Sequence, residues 1–380
     1  MSDTLFYSLL RVAIGTQDAL PRIPTEAEWE GLLDMAEKQS LIGVCFVGIH
    51  ALGADSDEGY INIGMSEDLY FDWMGTAAQI NMKNELVNQQ CVELQKRLEA
   101  DGFRSSILKG QAVAMLYGEE LRGFRQSGDI DIYVDCGREK AIGFARSVQG
   151  DVDWDYKHLH LNVFEDTAVE MHYVPEVFLN LMKNRKLQKW FKEPEVASSM
   201  FFHSAGSGTS LSGEMVCPSV EFNLFYILLH TYRHFLYEGV GMRQLMDYCF
   251  VLRASNSNAN SNANLMALLK EFGMTRFASG VMWIMKQVFG MSEQLLLVEP
   301  DEKEGRYILS EVMTGGNFGH HDERLTIGVK GKIGAVMKIL KHSIDIGIHY
   351  PVDMIWAPIN IVHHWCWKRF QMLFEKQRKF

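Results

Sequence analysis

Residues 107–134 read ILKGQAVAMLYGEELRGFRQSGDIDIYV, and the rest of the chain is organised around them. A short apolar run ends in Lys109-Gly110 and a helix-like stretch follows. After Arg125 and the turn Gln126-Ser127-Gly128 comes Asp129-Ile130-Asp131-Ile132-Tyr133-Val134. With the period of two of a strand, Asp129 and Asp131 point to one face and the isoleucines to the other. Side-by-side carboxylates repel unless a cation sits between them. Hard oxygen ligands suit Mg2+, which binds one or two carboxylates together with substrate phosphates. On this reading, neutralising Asp131 leaves the metal-free fold as stable as before, or slightly more so, because a like-charge contact is relieved. Acids that merely pair with Lys109 or Arg125 would behave in the opposite way.

With 380 residues, 47% of them hydrophobic, the chain reads as an ordinary globular protein of two or three domains. The net charge of −11 argues against a broad nucleic-acid surface, which would need Lys and Arg to neutralise phosphates, but leaves room for a small basic cleft. Cys45, Cys91, Cys136, Cys217, Cys249 and Cys366 form no CxxC pair. In a chain this large they read as free thiols in a reducing cytoplasm. The opening MSDTLFYSLLRVAIG has no basic leader and reads as an amphipathic helix. No apolar run is long enough for a transmembrane span.

Four segments are expected: a helical region over 1–102, an α/β core over 103–200, a helical domain over 201–325, and a basic, aromatic tail over 326–380. In the first, Thr25 and Glu28 have capping-box spacing, and Ser66 caps a long helix to Ala100 that stops at Gly102, with a break expected near Gly75. The period then changes to that of strands, at Phe103 to Leu108, Asp129 to Val134, Lys157 to Val163 and Ala168 to Tyr173, with helices at Gln111 to Tyr117 and Arg138 to Val148. The last two strands flank a polar turn and read as a hairpin that puts Glu170 and His172 on one face. Helices follow at Phe222 to Tyr237, Met242 to Arg253, Leu265 to Phe289 and Asp301 to Met313. The low-complexity SNSNANSNAN at 255–264 reads as an exposed loop. The tail mixes Lys and Arg with Trp356, Trp365 and Trp367, so it either packs on the body with a solvated basic face or lies on a membrane surface as a peripheral contact.

Nucleotidyl transfer from an NTP needs metal to hold the triphosphate, and a two-metal site wants three converging carboxylates. Asp129 and Asp131 supply two, and Glu170 is the best third. Gly110 lets backbone approach phosphate at a strand-to-helix junction. Lys109 and Arg125, with Ser127 and Gly128 in the turn, are the natural partners of phosphate charge. His158, His160 and His172 sit on hairpin strands without Cys partners, which favours hydrogen bonding or substrate lining over zinc. His230, His234, Arg243 and Asp247 fall on two successive helices, where they form either a substrate pocket or an internal ion-pair network.

Together these residues carry a resemblance. LKG at 108–110, Leu116-Tyr117 and Arg125-x-Ser127-x-Asp129-Ile130-Asp131 resemble the uncharacterised nucleotidyltransferase family of the DNA polymerase β superfamily. The pattern is also similar to abortive-infection nucleotidyltransferase toxins. Val169-Glu170-Met171-His172, Leu229-His230 and the Arg243-Gln244-Leu245-Met246-Asp247 string resemble further family segments, so the likeness covers roughly residues 30–300. The superfamily's Gly-Ser pair about ten residues before the acids is absent. Gly110-Gln111 instead precedes Asp129 by nineteen positions. The resemblance implies an α+β fold, with a polymerase-β-like mixed sheet between helical N-terminal and C-terminal regions. It also implies a metal site of Asp129, Asp131 and Glu170 holding Mg2+, or Mn2+ in its place, and a nucleoside triphosphate, ATP included, as substrate.

The expected reaction moves an NMP group to a hydroxyl-type acceptor with release of pyrophosphate. A small molecule or protein is favoured as acceptor over RNA; an RNA-modifying toxin and a non-catalytic nucleotide sensor are the alternatives. Because the likeness stops before the tail, truncation after about residue 325 is expected to leave nucleotide binding intact.

Overall fold

A computed structural model describes residues 2–54, 59–203, 215–255, 259–319, 341 and 344–377. Helices α1 (Ser2–Ala13), α2 (Glu26–Lys38) and α3 (Ile42–Ile49) lead into α4 (Glu67–Ala100), which is 34 residues long. Glu28 returns a carboxylate oxygen to the Thr25 backbone N–H at 2.9 Å, closing the expected capping box at the start of α2. Ser66 caps α4 through the Leu69 N–H. Trp29 of α2 and Trp73 of α4 meet edge-to-face, with ring centroids 6.3 Å apart, and both are fully buried. Burying a ring of that size removes about 150–250 Å² from water, roughly 4–6 kcal/mol at about 25 cal/mol/Å². The cost is contained because the Trp29 indole donates to Ile63 O at 2.9 Å and the Trp73 indole to Ile42 O at 3.0 Å.

The expected break near Gly75 does not occur, and α4 is continuous. Gly75 is exposed with open space around its α-carbon, so it costs only the helix propensity of one glycine, about 1 kcal/mol.

The sheet contains β1 (Ser105–Leu108), β2 (Ile130–Val134), β3 (His158–His160) and β4 (Val169–His172), in the order β1-β2-β4-β3. β1 and β2 are antiparallel, β2 and β4 parallel, and β3 and β4 form the antiparallel hairpin read from the sequence. The short helix α5 (Gly110–Ala114) follows β1, and α6 (Arg138–Gln149) makes the crossover after β2. The fold class is therefore α+β with a small mixed sheet.

One face of the sheet is apolar apart from Ser105 at the start of β1. Ile107, Ile130, Ile132, Val134, Val169 and Met171 pack with Val87, Leu94 and Leu98 of α4 and with Ala141 and Ala145 of α6 in a separate core. A two-stranded ribbon, β5 (Phe202–His203) with β6 (Val216–Cys217), was not foreseen. Gln95 of α4 ties it down, giving to Val216 O at 2.8 Å and taking from Val216 N at 3.0 Å.

The opposite face of the sheet looks toward the larger core. That core joins the N-terminal helices to α7 (Leu181–Trp190), α8 (Val220–Tyr237), α9 (Met242–Ala254), α10 (Ala259–Glu271), α11 (Thr275–Gln287) and α12 (Glu302–Gly315). Two expectations change in this region. Most of the low-complexity stretch belongs to α10, which starts at Ala259, while residues 256–258 lie outside the described residues. The polar run there can continue a helix because the apolar positions that anchor it, Leu265 and Leu269, come one and two turns later. The single helix expected over 265–289 is two, separated at Gly273 with φ +66°, a left-handed helix stop.

Of the tail, the described part ends in α13 (Trp356–Gln377), and residues 320–340 and 378–380 lie outside the described residues. No described helix is long and apolar enough to cross a membrane. All six cysteines are unpaired.

Candidate active site

The site begins with strand register. Asp131 on β2 lies directly opposite Glu170 on the parallel strand β4, Leu108 at the end of β1 is its antiparallel neighbour, and His158 faces His172 across the hairpin. Asp129, one residue before β2, shares the face of Asp131 by alternation. Carboxylate oxygens of Asp129, Asp131 and Glu170 all lie within 4.8 Å of one another. That spacing suits one coordination sphere, because oxygens at 2.0–2.1 Å from Mg2+ stand roughly 3 Å apart when adjacent and about 4 Å when opposite. The donor set is of hard oxygens, so the three residues present fit a divalent cation.

The buried acid of this set is already paired. Lys109 Nζ and His172 Nε2 both contact Asp131 Oδ1 at 2.7 Å. Burial works against the Asp131 charge, but these two partners overcome it and hold the carboxyl far below its usual range. Asp129 behaves oppositely: the adjacent Asp131 charge, then burial, raises its pKa. Glu170 is brought down to about 2 despite burial, chiefly by its hydrogen bond from His172. The expectation that the metal-free fold carries an unrelieved acidic pair is thus corrected. Lys109 takes the place of a cation beside Asp131, because the chain turns sharply where β1 ends and delivers the side chain there. Lys109 itself adopts φ +51°, a region costly for a residue with a Cβ, and Gly110 follows at φ +27°.

A second cluster flanks the first. His158 Nε2 lies 3.5 Å from Glu170 Oε1 and His172 Nε2 lies 3.4 Å from Glu170 Oε2. Burial, then the nearby His172 ring, lowers the His158 pKa to about 4, so its imidazole is neutral near pH 7.

These groups open into a cleft of about 620 Å³ between the sheet and the helical core. Lys109, Gly110, Arg125, Gly128, Asp129, Asp131, Glu170, His230, Arg243 and Asp247 line it, whereas Ser127 and the fully buried His172 do not. Several of the lining groups are committed to one another. Arg125 makes a bidentate pair with Asp247, Nε to Oδ1 and Nη2 to Oδ2, both at 2.7 Å, and Tyr117 donates to Asp247 Oδ1 at 2.8 Å. Arg243, one turn before Asp247 on α9, donates to Gln126 O at 2.8 Å. Arg125, Asp247 and Arg243 thereby clamp the turn before β2 to α9. His230 Nδ1 meets Glu176 Oε2 at 2.8 Å.

Glu176 was not singled out in the sequence. It is fully buried and gathers Lys157 at 3.5 Å, Arg233 at 3.2 Å and His230. Burial opposes its charge, yet Lys157 and Arg233 hold its carboxyl well below the ordinary range. The available signal was Arg233 and His234 placed three and four residues after His230, which puts all three on one side of α8. The same cleft is also lined by apolar Val177, Phe178, Leu181 and Ile227, and α13 adds Asn360, His363 and His364. The tail, expected to stand apart from the chemistry, supplies one wall of the cleft. Asn360 ties it down by donating to Leu179 O at 3.1 Å, and Trp367 meets Trp154 edge-on at 5.7 Å.

A family described as an uncharacterised nucleotidyltransferase matches residues 25–290 of this chain. No curated protein and no solved structure matches it.

Proposed function

The chain belongs to that nucleotidyltransferase family, which makes it a transferase enzyme, and from this premise we propose that the cleft transfers an NMP group from a nucleoside triphosphate to the hydroxyl of a small molecule or protein. The observation that carries the reading is the convergence of Asp129, Asp131 and Glu170 from register-paired strands at the lip of a cleft. The three carboxylates would hold Mg2+, or Mn2+ in its place, and such a cation neutralises triphosphate charge and orients it for in-line attack. The acceptor oxygen forms a bond to the α-phosphorus, the bond from that phosphorus to the bridging oxygen breaks, and pyrophosphate leaves. A carboxylate of the set takes the acceptor's proton, since a general base must lie within hydrogen-bond reach of it.

Lys109 is positioned to shift from Asp131 onto triphosphate oxygens once Asp131 has a cation to neutralise it. Gly110 and Gly128 leave the approach to the acids free of side chains. Arg125, Arg243 and Asp247 act by holding the turn that presents Asp129, rather than by touching phosphate, because each is already engaged. His172 steers Asp131 and Glu170 from beneath. The cleft volume fits a nucleotide with a small acceptor, and a lining in which Val177, Phe178, Leu181 and Ile227 stand with residues of α13 favours such an acceptor over a nucleic-acid strand.

The test is incubation of the purified chain with each α-labelled NTP and Mg2+, alone, with bulk RNA, and with a small-metabolite extract. Pyrophosphate release that needs divalent cation and disappears in Glu170→Gln is expected. Label on RNA would move the reading to an RNA-modifying enzyme, and binding without pyrophosphate release would replace it with a nucleotide sensor.

A further inference from the structure

One wall of the cleft takes no part in holding metal or triphosphate: Lys157 stands just before β3, and His230 and Arg233 project from α8. Lys157 is only 7% exposed yet lines the cleft. Its ion-pair partner, Glu176 Oε1, stands 3.5 Å away, and its Nζ makes no hydrogen bond among the described residues. An ammonium carries three donors, and its hydrogen bonds to a carboxylate run about 2.7–2.9 Å. Glu176 Oε1 is poorly placed to supply them, because it already accepts from the Val177 N–H at 3.0 Å and has Arg233 Nε beside it at 3.2 Å. That Nε is itself buried without a hydrogen bond, and Glu176 Oε2 is taken by His230 Nδ1 at 2.8 Å.

The other carboxylates of this wall do not fill the gap. Asp155 Oδ1 accepts the backbone N–H groups of Lys157 and His158 at 2.7 and 2.9 Å. Glu238 pairs with His234 at 2.7 Å and reaches Arg233 only at 3.5 Å. Buried cationic donors left without acceptors are costly, so this wall is short of oxygen atoms that a ligand can bring.

We propose that Lys157 and Arg233 form a seat for one oxyanion group, a phosphate or a carboxylate, carried by the acceptor. That the acceptor is the bearer rests on the nucleotidyl-transfer reading, in which Lys109 and Gly110 at the end of β1 take the triphosphate. Lys157 immediately precedes β3 at the other edge of the sheet, and the acid-bearing strands β2 and β4 lie between. Attacking and leaving oxygens stand roughly in line on opposite sides of the α-phosphorus. A seat across the acids from Lys109 therefore meets the acceptor rather than the departing pyrophosphate. An anion fixed there holds the acceptor's hydroxyl in register with the metal-facing carboxylates, and it selects against acceptors that are neutral or cationic.

The test is calorimetric titration of the full chain with inorganic phosphate, first in chelator and then with Mg2+ and a saturating α,β-methylene NTP analogue. Phosphate should bind in both conditions, and its affinity should fall at least ~tenfold in Lys157→Met, which removes the ammonium at nearly constant length. A cooperative unfolding transition and parental binding of the analogue would show that the variant is folded. If it does not fold, Arg233→Gln serves instead. No phosphate binding by the parent overturns the proposal, as does equal binding by parent and folded variant, which marks an adventitious ion only. Displacement of phosphate by the analogue overturns it too, by giving the seat to the triphosphate. The arm in chelator needs neither metal nor turnover, so its failure leaves nucleotidyl transfer standing. A parent that binds phosphate there but never releases pyrophosphate from NTP would overturn that reading and keep the oxyanion seat.

Discussion

Asp131→Asn separates the two jobs assigned to one carboxylate, and its effect on the metal-free protein follows from the contacts of Oδ1. Lys109 and His172 both reach that oxygen at 2.7 Å, and the side chain is nearly buried. An amide keeps the acceptor, so both hydrogen bonds survive, though neither then ends on a charged oxygen. A hydrogen bond to a charged group contributes about 1.5–3 kcal/mol against about 0.5–1.5 for a neutral one, which puts the loss over two bonds near 2 kcal/mol. Breaking a buried pair outright, its hydrogen bonds included, costs about 3–5 kcal/mol and sets the upper bound. The two surviving bonds and relief of the repulsion from Asp129 bring the expectation to about 2–3 kcal/mol, or a fall of several degrees in melting temperature.

The measurement is thermal unfolding in chelator across pH. Because the folded-state pKa of Asp131 lies below its unfolded value of about 3.9, its contribution is fully present above that value and is lost as pH falls through the folded-state pKa. The gap between parent and variant should therefore be constant from pH 7 to about pH 5 and should close in stronger acid. In the second arm, Mg2+ with NTP at about 100 times the dissociation constant should stabilise the parent by about 2.7 kcal/mol and the variant not at all. A variant as stable as the parent in chelator would refute the Lys109 and His172 pairing. One that keeps the Mg2+ response would refute the ligand role.

Glu176→Gln should destabilise the protein by about 3–5 kcal/mol, read by chemical denaturation, because it strands Lys157 and Arg233 in a buried wall; a change under 1 kcal/mol would mean that water already serves those cations. Burial lowers the pKa values of His230 and His234, so the folded state prefers the neutral rings. The stability they allow is present above about pH 6.5 and is lost as pH falls through that value, and His234→Gln should flatten the decline of melting temperature between about pH 6.5 and 5. Gly43→Ala should cost about 1–3 kcal/mol or more, since its Cβ would lie 2.3 Å from Phe124 O, a backbone atom with little room to yield; a melting temperature unchanged from the parent would show that α3 can shift away.

The sheet was legible because its signal is local. Alternation in Asp129 to Val134 and in Val169 to Tyr173 fixes which side chains share a face, and the turn at Glu165-Asp166-Thr167 fixes the hairpin, so spacing groups Asp129 with Asp131 and Glu170 with His172; the parallel pairing of β2 with β4 that joins the two groups carries no local signal. The partners of those residues were less legible, because they come from far along the chain. Arg125 finds Asp247 across 122 positions and Glu176 finds His230 across 54, and no periodicity encodes that meeting. The sequence left open whether His230, Arg243 and Asp247 form a pocket or an ion-pair network. All three line the cleft, and each is engaged with another residue: His230 with Glu176, Arg243 with Gln126 O and Asp247 with Arg125. The placement of α13 against the cleft was hidden in the same way. Its anchoring contacts, Asn360 to Leu179 O, Trp367 to Trp154 and Tyr156, and Gln371 to Arg138, reach residues far back along the chain, and neither residue type nor spacing marks them.

The unbroken α4 also governs how a substrate enters. Its first half contributes Tyr70, Trp73 and Ala77 to one core and its second half Val87, Leu94 and Leu98 to the other. Between them, Asn84 fastens the helix to the backbone of Gly123 and Arg125. A rod of about 50 Å at 1.5 Å per residue, gripped at both ends and pinned in the middle, offers no hinge about which the halves of the molecule could swivel. Substrate therefore reaches the acids through an opening whose span this helix holds fixed, rather than by closure of one half of the molecule on the other.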